Sequence, residues 1–206
     1  MVALFTRGAS ITLALLTLTG GALVPSLLVT STSVPNNSVV SGALGEHPYV
    51  ILLRHGEAPG RSEPLGFNLN DCSTQRNLSD KGRGESRQLG ELLRAHCINV
   101  TKVLTARFCR TRETAELLNL GPVEDDAAFD NLEFNKLRAA ELLDQEREHI
   151  ASWRGPGVLL IVTHGSNIKA LTGFQLEEGA MIVTDPVDQS ATSLRFDKYL
   201  LQNKSS

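Results

Sequence analysis

Two short segments carry side chains suited to chemistry on phosphorus. Arg54-His55-Gly56-Glu57 ends one apolar run, and His164-Gly165-Ser166-Asn167 ends another. A neutral imidazole nitrogen is a competent nucleophile toward a phosphoryl group. The charge on the equatorial oxygens then needs forked donors, which Arg54 and Arg110 supply bidentately. A second imidazole, His164, can bond a further oxygen and stabilise the transition state. A carboxylic acid must protonate the leaving oxygen. The chemistry suggested is phosphoryl transfer to an imidazole. A metal site competes for the same histidines, but the chain has no His-Glu-x-x-His run, and the adjacent arginines would repel a cation.

These side chains need elements that bring them to one edge. Tyr49–Arg54 reads as a buried strand, Val100–Thr105 as a second, and Gly157–Thr163 as the clearest of all. Met181–Thr184 and Ser193–Phe196 are weaker strand candidates. Ser79 can cap a helix running to about His96, with Leu89, Leu92 and Leu93 on one face. Further helices are expected over Arg110–Leu120, which Gly121-Pro122 stops, over Lys136–Trp153, and over Ser166–Leu171. Strands alternating with helices predict an α/β domain with a mainly parallel sheet covered on both faces. Ligands of such sheets bind outside the carboxyl ends of the strands, where both histidines fall. The long polar stretch 56–78 reads as a loop, and its residues Arg61, Asn68, Asn70, Asp71 and Arg76 are expected to shape the leaving-group side of the pocket.

The chain has 206 residues, 41% hydrophobic and 21% charged, with a formal net charge of −3. That composition excludes a disordered or collagen-like chain, and the acidic balance does not point to nucleic acid as a partner. No charged residue lies between Arg7 and Glu46. Residues 1–29 therefore read as a signal peptide or membrane anchor, with 11–29 as a possible tether. Residues 30–46 read as a linker and 47–206 as the domain. Export permits a disulfide among Cys72, Cys97 and Cys109, but the sequence leaves open which two pair, or whether all three remain thiols.

Leu53-Arg54-His55-Gly56-Glu57 resembles the signature of the histidine phosphatase (phosphoglycerate mutase-like) superfamily. Arg110, in the stretch Cys109–Ala115, matches that family's second phosphate-binding arginine, and His164 matches its second histidine. The resemblance runs from about Tyr49 to Thr184. Within the family the chain looks most like small exported members, the lipopolysaccharide core heptose phosphate phosphatases. Those too carry an N-terminal apolar segment and a stretch like Asn77-Leu78-Ser79-Asp80. The resemblance implies a phosphohistidine on His55, no metal or other cofactor, and a three-layer α/β/α fold. The implied activity is hydrolysis of a small phosphorylated substrate, a sugar phosphate or other phosphomonoester. The general acid is expected at Glu133 first and Asp130 second, with Glu57 and Asp71 as further candidates. Asn167 is expected to touch phosphate or cap the short helix. The chain departs from the family's Ser-Ser-Pro at Thr105-Ala106-Arg107, and Arg107 is expected to face solvent or, as the alternative, to add a cation near the pocket. A phosphate-binding or envelope interaction module on the same fold is the alternative function, and a phosphomutase a more remote one.

Overall fold

The computed structural model describes residues 48–187 and 190–192. The expected N-terminal signal or anchor, the linker and the strand Ser193–Phe196 lie outside the described residues. The chain order is β1 (Tyr49–Arg54), α1 (Asp80–Ala95), β2 (Val100–Thr105), α2 (Cys109–Leu118), β3 (Val123–Asp125), α3 (Ala139–Ser152), β4 (Val158–Thr163), α4 (Gly165–Thr172), β5 (Met181–Thr184) and β6 (Ala191–Thr192). Short 3₁₀ turns lie at Cys72–Thr74, Ala127–Phe129 and Lys136–Arg138.

These strands make one sheet in the order β3-β2-β4-β1-β5-β6. The β1–β4, β2–β4 and β2–β3 pairs are parallel, and β5 runs antiparallel to β1. β1 and β4 are apolar along their length because both of their faces are covered. Ile51 and Leu53 point to one face, with Leu89 and Leu93 of α1 and Ala115 and Leu118 of α2. Val50 and Leu52 point to the other, with Ile150 of α3 and Ile168 of α4. The result is a three-layer α/β/α domain. Each fully buried Leu or Ile of these layers contributes about 1.5–3 kcal/mol relative to exposure.

Local signals set most boundaries. Ser79 caps α1, its hydroxyl accepting from the Gly82 amide at 2.9 Å. α2 ends where Asn119 turns left-handed at φ 50°, and Arg94 of α1 donates to the Leu118 and Asn119 carbonyls. α1 and α2 pack so closely that a Cβ on Gly90 would lie 2.0 Å from the Leu118 carbonyl oxygen. The expected helix from Lys136 begins instead as the 3₁₀ turn Lys136–Arg138, and the α-helix proper starts at Ala139. The edge strand β3 escapes sequence patterning, since it is three residues long and Glu124 and Asp125 are exposed.

Candidate active site

Sheet register builds the site. β1 and β4 are adjacent, with Arg54 opposite Thr163, so the next residue of each strand is a histidine at the same edge. The His55 amide donates to the Thr163 carbonyl at 3.1 Å. The two rings lie 5.5 Å apart between centroids, inclined at 67°. β2 flanks β4 on the other side and leads into α2, whose first turn carries Arg110. Arg110 is 1% exposed; its Nη2 sits 3.3 Å from His164 Nδ1, and its guanidinium lies 4.7 Å from the Phe108 ring centroid.

The glycines after the histidines allow these approaches. A Cβ on Gly56 would lie 2.8 Å from Ser86 Oγ, and one on Gly165 would meet the Arg54 guanidinium at 3.3 Å. Gly179, at φ 76°, turns the chain into β5, and its amide donates to the His55 carbonyl at 2.9 Å. That turn delivers Glu178 to Arg54 and Arg76, each at 3.3 Å.

Tautomers follow from the partners. His55 Nδ1 is 2.8 Å from the Gly56 carbonyl, which can only accept, so Nδ1 carries the proton and Nε2 keeps its lone pair. His164 Nδ1 accepts from Arg110, so the proton of its neutral ring sits on Nε2. Burial, and then the Arg110 charge, hold both histidines well below the usual imidazole range. For His55 the Gly56 bond works in the opposite direction; for His164 the other imidazole adds to the depression. Burial also pulls Arg110 down to about 10, against the raising effect of Glu63, so it stays a cation at neutral pH.

A cavity of about 270 Å³ opens on this edge. Arg54, His55, Arg110, His164 and Glu133 all line it, as do Arg61 and Arg76 of the loop, so seven of the residues expected from sequence converge. Glu133 is exposed there. Buried side-chain nitrogens without a hydrogen-bond partner, among the described residues, are Arg54 Nε, Arg76 Nε, Arg110 Nε and His164 Nε2, all on residues of this wall. Unsatisfied buried donors are costly, and four of them on residues of one cavity wall, three of them arginines, suit that wall to an anion. Among the described residues no group of His, Cys, Asp or Glu is arranged to hold a metal ion.

Other expected residues stand elsewhere. Asn167 is fully buried and does not line the cavity; its amide donates to the Phe129 and Asp130 carbonyls and to Glu146. It clamps the 129–132 segment instead of meeting a ligand. Asp71 is exposed and caps the Cys72–Thr74 turn, bonding Ser73, so it too lies off the cavity. Asp130 is spent on Arg107, accepting from its backbone amide and its Nε at 3.0 Å each. Arg107 is therefore ion-paired and 44% exposed, and it does not line the cavity. Glu57 accepts from Ser79 and pairs with Lys81, away from the cavity wall.

Two carboxylates of the wall, Glu63 and Glu178, have no motif in the sequence. Arg76, expected on the leaving-group side, does line the cavity; it donates to the Ala58 carbonyl at 2.7 Å, and its buried Nε has no protein acceptor. Glu63 accepts from Arg110 at 2.6 Å and from the Arg76 amide at 2.7 Å. Glu178 arrives from more than a hundred residues away, with no local signal. Cys72 and Cys109 form a disulfide that ties the loop to the residue before Arg110, and Cys97 is an exposed free thiol.

The fold is similar to solved structures of low sequence identity. One is the product of an open reading frame of Mycobacterium tuberculosis, 18% identical, TM-score 0.54, covering 72% of this chain and 96% of that one. A second is YhfR of Bacillus stearothermophilus, 16% identical, TM-score 0.53, covering 71% and 95%. A third is a phosphoserine phosphatase of Entamoeba histolytica in complex with 3-phosphoglyceric acid, 12% identical, TM-score 0.53, covering 73% and 97%. At these identities the likeness concerns the fold. A comparison with curated proteins gives no match. The model of the histidine phosphatase superfamily, branch 1, matches residues 50–157, just over half of the 206 residues, and the chain belongs to that superfamily.

Proposed function

We propose that this chain hydrolyses phosphomonoesters through a phosphohistidine on His55. The observation that carries the reading is the convergence on one cavity wall of Arg54, Arg76, Arg110 and His164, each with a buried nitrogen that no protein group satisfies, beside an imidazole whose Nε2 is unprotonated. His55 Nε2 attacks phosphorus; the P–N bond forms as the P–O bond to the leaving group breaks. The arginines and His164 Nε2–H hold the equatorial oxygens where charge is concentrated. Glu133, exposed on the cavity wall, protonates the leaving oxygen. A water deprotonated by the same carboxylate then attacks the phosphohistidine, releasing phosphate and free His55. The phosphoryl charge is met by guanidinium groups, which supports a reaction without a metal.

We read the substrate as a small phosphorylated molecule, a sugar phosphate or similar monoester, in line with the resemblance to heptose phosphate phosphatases. The disulfide Cys72–Cys109 supports an exported protein in an oxidising compartment, with residues 1–29 as signal or tether. Among the described residues no helix is long and apolar enough to cross a membrane.

The test is p-nitrophenyl phosphate hydrolysis in EDTA by residues 42–206 and by the full chain, each beside His55→Ala, with a search for an acid-labile phosphoryl adduct. His55→Ala should lose at least about a hundredfold in turnover, as expected for loss of a covalent nucleophile. Near-normal turnover in the variant would refute the mechanism. Anion binding without turnover in the wild type would favour a binding module.

A further inference from the structure

The phosphatase mechanism leaves Glu63 without a task, yet its carboxylate sits on the guanidinium meant for the phosphoryl group. Glu63 Oε1 lies 2.6 Å from Arg110 Nη1, with the two side chains 2% and 1% exposed. Its Oε2 accepts from the Arg76 amide at 2.7 Å. Arg110 Nη1 is engaged by Glu63, while Nη2, with two N–H groups, gives one to His164 Nδ1. A forked grip on a phosphoryl group through both terminal nitrogens therefore competes with Glu63 for Nη1. We propose that Glu63 is a resident counter-anion, displaced from Arg110 when a phosphoryl group binds and returning when phosphate leaves. The inference rests on the phosphatase reading only in taking this pocket as an oxyanion site.

Local electrostatics support the exchange. Glu63 touches Arg110 Nη1 directly, and both side chains are buried. A phosphoryl oxygen taking that same nitrogen would meet the carboxylate as a like charge at close range, which is costly in a buried place unless Glu63 leaves.

The chain around Glu63 is built to let it go. Residues 61, 62, 64 and 65 are exposed, with Leu65 fully so. The segment is bounded by Gly60 at φ 91° and Gly66 at φ 81°, and a Cβ on Gly66 would meet nothing within 4 Å. Such left-handed glycines serve as pivots. Beyond Gly66 the loop is fastened: the Cys72–Cys109 disulfide and the Gln75 Oε1 bond from the Cys109 amide hold it to the start of α2. The segment from Gly60 to Gly66 can therefore swing while Arg76 and Arg110 stay in place.

The test is calorimetric titration of the full chain with tungstate, a tetrahedral dianion, for wild type, Glu63→Gln and Glu63→Ala. A resident competitor predicts that both variants bind tungstate tighter by about tenfold or more, the scale of one charge-assisted hydrogen bond no longer sacrificed. Glu63 acting only to orient Arg110 predicts weaker binding, and weaker or equal binding in folded variants overturns the proposal. The wild type supplies a second readout that needs no variant. The Arg76 amide loses its acceptor when Glu63 leaves, so its hydrogen exchange should rise under saturating tungstate. Unchanged or slower exchange overturns the proposal, as does an absence of tungstate binding in all three proteins. Turnover is not read here. A wild type that binds tungstate but hydrolyses nothing refutes the phosphatase reading alone, whereas an active enzyme whose Glu63 variants bind no tighter refutes this inference alone.

Discussion

Glu146 on α3 is fully buried, yet it is an acid. Its Oε1 accepts from Asn167 Nδ2, and its Oε2 has no hydrogen-bond partner. Burial pushes its carboxyl up to about 8; the Asn167 bond and the Arg147 charge act against this, and Asp126 acts with it. Between the ordinary carboxyl value of 4.5 and about 8 the unfolded chain has released this proton while the folded chain holds it. Stability from this group is therefore fully present below 4.5 and is lost as pH rises to about 8. At about 1.4 kcal/mol per unit, the wild type should lose roughly 3 to 4 kcal/mol from this group between about pH 5 and pH 8. Glu146→Gln keeps an acceptor for Asn167 and has no proton to release. Urea unfolding of both proteins, followed by the fluorescence of the sole tryptophan, Trp153, gives the difference directly. The buried histidines contribute to both proteins and cancel. The wild type should lose ground to the variant steadily across that range. Parallel pH profiles would refute the reasoning, since they would mean that Glu146 is already ionised in the folded state.

The depressed histidines give a second pH signature. His55 stays unprotonated below the ordinary imidazole value of 6.5, so the acid limb of kcat/KM should lie well below it; a midpoint at or above it would contradict the geometry. The same two histidines contribute stability that is present above 6.5 and is lost as pH falls toward their folded values, which acid unfolding of wild type against His164→Gln would measure. Cys72→Ser opens a loop of 37 residues and should cost about 4 kcal/mol by chain entropy, read as a lower urea midpoint without reductant; an unchanged midpoint would remove the disulfide from the account of stability. Gly90→Ala places a Cβ 2.0 Å from the Leu118 carbonyl and should cost about 2 kcal/mol or more, lowering Tm; no change in Tm would mean that α1 and α2 part freely.

Much of the site is written locally. An apolar run too uniform for a half-exposed strand marks β1 and β4, and a histidine followed by glycine marks the end of each. Ser79 announces α1, and Arg110 in the first turn of α2 needs only a helix start to place it. These features depend on period, capping and backbone freedom, which a few consecutive residues decide. What the tertiary structure alone decides is which side chains meet across distance. The pairing of Arg54 with Thr163 sets the two imidazoles side by side, and a register shift of one residue would part them. The choice of Cys109 over Cys97 as the partner of Cys72 follows from the loop lying on α2. Asn167 sits beside His164 in sequence space yet faces the other way, into Glu146. Asp130 is consumed by Arg107, while Glu63 and Glu178 reach the arginines from a loop and a turn with no motif of their own. A carboxylate's partner is chosen by the packing of separate elements, and no spacing within the chain encodes that choice.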